Sequence, residues 1–122
     1  MKPSIVAIHG LNPLNDQDHA LNTWRKPKTA AGMLWLRDYL PKSTPNARIL
    51  IYEYNSNPVF ATSKERFVHH ANDLLERLHI ARDMVSTDSF ALCGVTYVDE
   101  DHERPLIIIA HSLGGILAKQ VL

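Results

Sequence analysis

One cysteine, no surplus charge of either sign and no apolar run long enough to cross a bilayer set the first limits on this sequence. Cys93 has no second thiol to pair with, which excludes an internal disulfide and any need for an oxidising compartment; it reads as a small buried hydrophobe. Thirteen Lys and Arg residues balance thirteen Asp and Glu residues. No net field is left to gather nucleic acid or an anionic membrane surface, so partners have to be recognised locally. Near the start, Lys2 is followed by the short apolar run Ile5-Val6-Ala7-Ile8. That is too short for a signal-peptide core and far too short for a transmembrane segment, which makes the cytoplasm the default compartment. A metal site is equally unprovided for. Seven histidines are present, but no cysteine or carboxylate spacing of a zinc site accompanies them, and His69, His70 and His79 fall on a predicted helix, His70 and His79 as surface residues.

What is there is ordinary globular material, 45% hydrophobic and 21% charged, in a chain able to bury about two-thirds of its unfolded surface as one domain over residues 1–122. Three apolar runs, Ile5-Val6-Ala7-Ile8, Ile49-Leu50-Ile51-Tyr52 and Leu106-Ile107-Ile108-Ile109-Ala110, are rich in β-branched residues and predict strands. Their hydrophobicity is continuous rather than alternating. Both faces of the sheet must therefore be covered, which calls for parallel strands with helices between them. Met33, Leu36, Tyr39 and Leu40 predict a helical face over residues 33–40, ended by Pro41. A longer helix is predicted from Phe67, Ala71, Leu74, Leu78, Ala81 and Val85, with Thr62 and Glu65 spaced as a capping box and Asp73 paired with Arg77. Residues 11–31 predict a long connection. Residues 86–105 predict a loop, although residues 90–98 have the makings of an edge strand. Long loops after parallel strands commonly host sites.

The junction Ile109-Ala110-His111-Ser112-Leu113-Gly114-Gly115 carries the chemistry. An apolar strand runs directly into a serine flanked by small residues, and a helical pattern comes next. In such a nucleophile elbow the serine sits in a strained conformation, and the residues two before and two after it must be small, a demand met by Ala110 and Gly114. The turn lifts the Ser112 hydroxyl clear of the sheet as candidate catalytic nucleophile. It also aims the Leu113 N–H, at a helix N-terminus, toward a developing oxyanion. A second oxyanion donor is expected from the loop after the first strand, where Ile8-His9-Gly10-Leu11 supplies a glycine and the Leu11 N–H. His9, Gly10, Ala110, His111, Gly114 and Gly115 then shape the elbow and the first loop. His9 and His111 are not read as proton acceptors, because adjacency in sequence points a side chain away from its neighbour's task. The rival is a tight strand-to-helix connection with an incidental serine. A phosphate-binding loop is disfavoured, since Gly114-Gly115 is not followed by Lys-Ser or Lys-Thr. Trp24 and Trp35 read as packing against the sheet, with the lining of an acyl pocket as the alternative.

His-Gly-Leu after the first strand, then Trp24, Trp35-Leu36-Arg37-Asp38-Tyr39-Leu40-Pro41, Asn46-Ala47-Arg48-Ile49-Leu50-Ile51-Tyr52 and His111-Ser112-Leu113-Gly114-Gly115, in that order, resemble the lipase-like α/β-hydrolases. More narrowly, they resemble the serine-active-site-containing proteins and the hydrolase modules that begin many fungal NLR-like, ankyrin or TPR signalling proteins. The resemblance implies a three-layer α/β/α sandwich, a truncated α/β-hydrolase fold with a mainly parallel sheet whose first strand lies between the second strand and the elbow strand. It implies a serine hydrolase, esterase or lipase-like, acting on an ester or thioester, with an ester or lipid-like small-molecule substrate and no cofactor. In that family the chain order is Ser, acid, His. The orienting carboxylate and the base are thus expected beyond Leu122, His19 and His102 are not expected to stand in for them, and residues 1–122 are expected to be inactive alone. The outer edge of the elbow strand would then lack a partner, which implies self-association through it. The alternatives are a non-catalytic or regulatory N-terminal module of a larger fungal signalling protein, and an inactive gene fragment. The resemblance also allows association with mitochondria or the endoplasmic reticulum.

Overall fold

A computed structural model describes residues 3–28, 31–58, 63–82, 90–92 and 105–121. Strands β1 (Ser4–Ile8), β4 (Arg48–Tyr52) and β6 (Leu106–Ala110) form from the three apolar runs. With β5 (Phe90–Leu92) they make a parallel sheet in the order β5-β4-β1-β6. The first strand is flanked by the second apolar run and the elbow strand, as the resemblance implies. Every residue of β1 and β4 is buried, which is the physical meaning of their unbroken hydrophobicity.

Side chains alternate across a strand, so each apolar run feeds two cores. Val6, Ile8, Leu50 and Tyr52 face Ala71, Leu74 and Leu78 of α4 (Lys64–Arg82) and Leu117 and Ala118 of α5 (Leu113–Val121). Ile5, Ala7, Ile49 and Ile51 face the opposite layer, with Ala20, Trp24, Leu34 and Leu36. That layer is built from α1 (His19–Asn22), the two-stranded pair β2 (Arg25–Lys26) and β3 (Met33–Leu34), α2 (Trp35–Asp38) and α3 (Leu40–Ser43). The result is an α/β/α arrangement around a parallel sheet. Among the described residues no helix is long and apolar enough to cross a membrane.

Four local expectations need correction. Residues 33–40 do not form one helix: Met33 and Leu34 pair antiparallel with Lys26 and Arg25, and two single turns come after them. Met33 and Tyr39 are exposed, while Leu36 is buried. Pro41 lies in the first turn of α3, where its missing N–H costs nothing, rather than ending a helix. Residues 11–31 hold α1 and β2 and are not a bare connection. Residues 86–105 are not all loop, because Phe90–Leu92 pairs with Ile49–Ile51, whose outer edge offers backbone partners. The long helix is capped by Ser63, whose Oγ accepts the Arg66 N–H at 3.2 Å; Thr62 lies outside the described residues, as do Val85, Cys93 and His102. The Asp73–Arg77 pair is present at 3.0 Å.

Candidate functional site

Parallel pairing decides where the site lies. Ile8 stands opposite both Tyr52 and Ala110, so the chain leaves β1, β4 and β6 at one rim of the sheet. The residues just past the ends of these strands are collected there, as in other open parallel sheets. Ser112 lies between the last residue of β6 and the first of α5, with φ +56°. A serine in this left-handed region carries about 1–3 kcal/mol of strain, held in place by three backbone bonds. The His111 N–H donates to the Ile8 carbonyl, the Gly114 N–H to that of His111 and the Gly115 N–H to that of Ser112, each at 3.0 Å. The Ser112 side chain is exposed.

The glycines differ in what they allow. A Cβ on Gly10 would stand 2.7 Å from Ser112 Cβ and 2.9 Å from the His111 carbonyl oxygen, so the loop after β1 reaches the elbow only because Gly10 has no side chain. A Cβ on Gly114 would run into the Ile8 and His9 carbonyls. Its small size is therefore demanded by the end of β1 and not by Ala110, which is exposed at the end of β6. A Cβ on Gly115 meets nothing within 4 Å. Leu113 opens α5, so its N–H has no acceptor within the helix. The Leu11 N–H has no hydrogen-bond acceptor among the described residues.

His9 is 1% exposed and bonded on every side. The Tyr54 N–H donates to Nε2 at 3.3 Å, which makes Nε2 the acceptor and places the proton on Nδ1; Nδ1 in turn donates to the Gly10 carbonyl at 2.9 Å, with Ser56 Oγ at 3.4 Å. The Tyr54 hydroxyl donates to the His9 carbonyl at 2.8 Å, and the two rings stack with centroids 4.4 Å apart. Burial pushes the His9 pKa down to about 4, and His19 and His70 oppose its charge further. The same burial raises the Tyr54 hydroxyl. His9 is thus a neutral bolt between the first loop and the segment after β4. His111 is exposed and contributes to the elbow through its backbone.

An open cleft of about 280 Å³ adjoins the elbow, lined by Leu11, Asn12, Pro13, Leu14, Asp16, His19, Asn22, Thr23, Lys28 and His111. Its wall is fixed by side chain to backbone bonds. Asn12 Oδ1 accepts the Asp16 N–H at 2.9 Å while Asn12 Nδ2 donates to the Asp16 carbonyl at 2.8 Å, and the Asp16 carboxylate accepts from Asn22 Nδ2 at 2.9 Å. The Asn22 amide and then the Asp18 N–H hold the Asp16 carboxyl below its usual range. On the other side of the sheet rim, Tyr52 donates to Asp73 at 2.6 Å. Burial alone would raise the Asp73 carboxyl, but the Tyr52 hydroxyl and Arg77 outweigh it and keep it low. Trp24 is buried in the core and Trp35 is exposed, with their rings 6.2 Å apart edge to face. Among the described residues no group of three His, Cys, Asp or Glu side chains is placed to hold a metal ion.

Sequence reasoning passes over Tyr54, Ser56 and the structural part played by His19. The first two are findable: they lie just past a predicted parallel strand, and the segments leaving neighbouring parallel strands meet at one rim. His19 is not, because its approach to Gly10 depends on the fold of residues 11–18.

No family model matches the chain, and no solved structure matches it significantly. Among curated proteins it is similar to Protein SERAC1 of mouse, at 24% identity over 135 residues, and to the bovine and human proteins of the same name, each at 24% over 140 residues. Each match takes in 100% of this chain, which spans 18% of the length of those relatives.

Proposed function

We propose that Ser112 is the nucleophile of a serine hydrolase, esterase or lipase-like, acting on an ester or thioester of a lipid-like small molecule. The observation that carries this reading is the left-handed φ of Ser112 at the strand-to-helix junction, with Gly10 of the β1 loop packed against its side chain. The distant and partial likeness to SERAC1 supports a link to lipase-like hydrolases. In the proposed reaction Ser112 Oγ attacks the acyl carbon and the carbonyl oxygen becomes an oxyanion, held by the N–H groups of Leu113 and Leu11. Collapse expels the alcohol or thiol, and water then releases the acid from the acyl-serine. The proton of Ser112 needs a base oriented by a carboxylate, which this reading places later in the whole gene product, in the order Ser, acid, His.

A second reading, a non-catalytic or regulatory module, is favoured by one observation. Among the described residues no imidazole hydrogen-bonds the Ser112 hydroxyl, and His9, on the adjoining loop, is held neutral by its own bonds. Fluorophosphonate labelling separates the two. The whole gene product is expected to label, its Ser112→Ala variant not to, and residues 1–122 alone to label weakly or not at all. A whole product without Ser112-dependent labelling ends the hydrolase reading and leaves the regulatory one.

A further inference from the structure

We infer that His19 is a positioning residue that locks the Gly10–Leu11 peptide with its N–H turned toward the oxyanion; this rests on the proposal that the Leu11 N–H is an oxyanion donor. The Gly10 carbonyl accepts from two imidazoles, His9 Nδ1 at 2.9 Å and His19 Nε2 at 3.3 Å. A carbonyl oxygen has two lone pairs, and here both are used. The carbonyl of Gly10 and the N–H of Leu11 belong to one rigid trans peptide and point in opposite directions, so whatever holds the first aims the second. The Leu11 N–H, left without an acceptor among the described residues, is the end so aimed.

The need for a clamp arises from the glycine. Gly10 lacks a side chain because Ser112 and His111 occupy the space a Cβ would fill, and a glycine leaves its following peptide free to rotate at little cost. A rotated peptide would present a carbonyl, an acceptor, where the oxyanion needs a donor. His9 alone ties the carbonyl to the core. His19 comes from α1 and closes over it from the cleft side, its ring edge-on to His9 at 5.0 Å, with its own backbone carbonyl held by the Thr23 N–H and hydroxyl. It shares the cleft wall with Leu11 and His111. No proton is transferred through His19; it acts by donating one hydrogen bond.

The test compares the whole gene product with its His19→Ala and His19→Gln variants, the glutamine retaining a side-chain N–H. The bimolecular rate of fluorophosphonate labelling is expected to fall about ten- to hundredfold in His19→Ala, short of the ~10²–10³ lost when an oxyanion donor is removed outright, and to recover most of that loss in His19→Gln. An unchanged rate in His19→Ala, or equal loss in both variants, overturns the inference. The Gly10 carbonyl ¹³C shift of residues 1–122 gives a readout independent of catalysis. It is expected to move upfield in His19→Ala and return in His19→Gln, and a carbonyl indifferent to His19 also overturns the clamp. A protein that never labels, yet shows the carbonyl response, would remove the hydrolase reading and keep the hydrogen bond.

Discussion

Gly114 and Gly115 are neighbours in sequence with opposite demands on substitution. Gly114→Ala drives a methyl group into the carbonyls at the end of β1 and is expected to cost about 1–3 kcal/mol, as overpacking does. Gly115→Ala enters open space in a helix and should gain about 0.5–1 kcal/mol from the lower entropy of the unfolded chain. Urea midpoints of the two variants, moving in opposite directions, check both. Gly10→Ala is expected to displace Ser112 and abolish labelling. At His9 the consequence is a pH dependence. The unfolded chain protonates His9 below about pH 6.5, whereas the folded chain does so only near 4. Its contribution is therefore complete above pH 6.5 and is lost as the pH falls toward 4, by about 3 kcal/mol. His70, lowered first by burial, adds to the same slope. Stability measured from pH 7 to 4 should fall less steeply in His9→Asn, and an unchanged slope would contradict the assignment. Ser112, Gly10 and Gly114 are legible in the sequence because an elbow is a local motif. The partners of His9 are not, since Tyr54 and Ser56 lie some 45 residues away and only the sheet brings them near.

At the scale of elements, legibility tracks length and burial. The stripe of α4 is readable because Ala71, Leu74 and Leu78 repeat at helical spacing and all face one core. The runs of β1 and β4 are readable because burial on both faces leaves no polar residue to interrupt them, while that of β6 is as unbroken although its residues are only half-buried or exposed. Residues 33–40 mislead: four apolar positions at helical spacing also fit a two-residue strand and two short turns, and the pairing of Met33 and Leu34 with β2 overrides the pattern. At the start of α4 the Ser63 hydroxyl accepts the Arg66 N–H, a bond the spacing of Thr62 and Glu65 does not reveal, and Thr62 itself lies outside the described residues. Ser63→Ala is expected to cost about 1 kcal/mol. Thermal melts of Ser63→Ala and Ser63→Asp should separate, because aspartate restores the cap.

Taken whole, the molecule is a sheet whose β6 flank is open among the described residues. Among the described residues β6 pairs with β1 alone, Ile107 is 46% exposed and Ile116 on α5 is 58% exposed. Unpaired strand backbone beside apolar side chains invites a second chain. Residues 1–122 are accordingly expected to associate as concentration rises, and Ile107→Lys to suppress this in sedimentation velocity; a wild-type chain that stays monomeric would refute the expectation. The pairing of β1 with β6 has a further consequence, in time rather than in space. Ser4 finds Leu106 across nearly the entire sequence, so the strand that carries the oxyanion loop and the strand that carries the serine meet only after the intervening chain has been drawn in. Contacts of that separation form late and slowly, because the entropy of closing the loop is spent before the contact returns anything. A partly folded chain can own its helices and still have no elbow, and during refolding the left-handed turn at Ser112 should arise together with the last cooperative step, not before it.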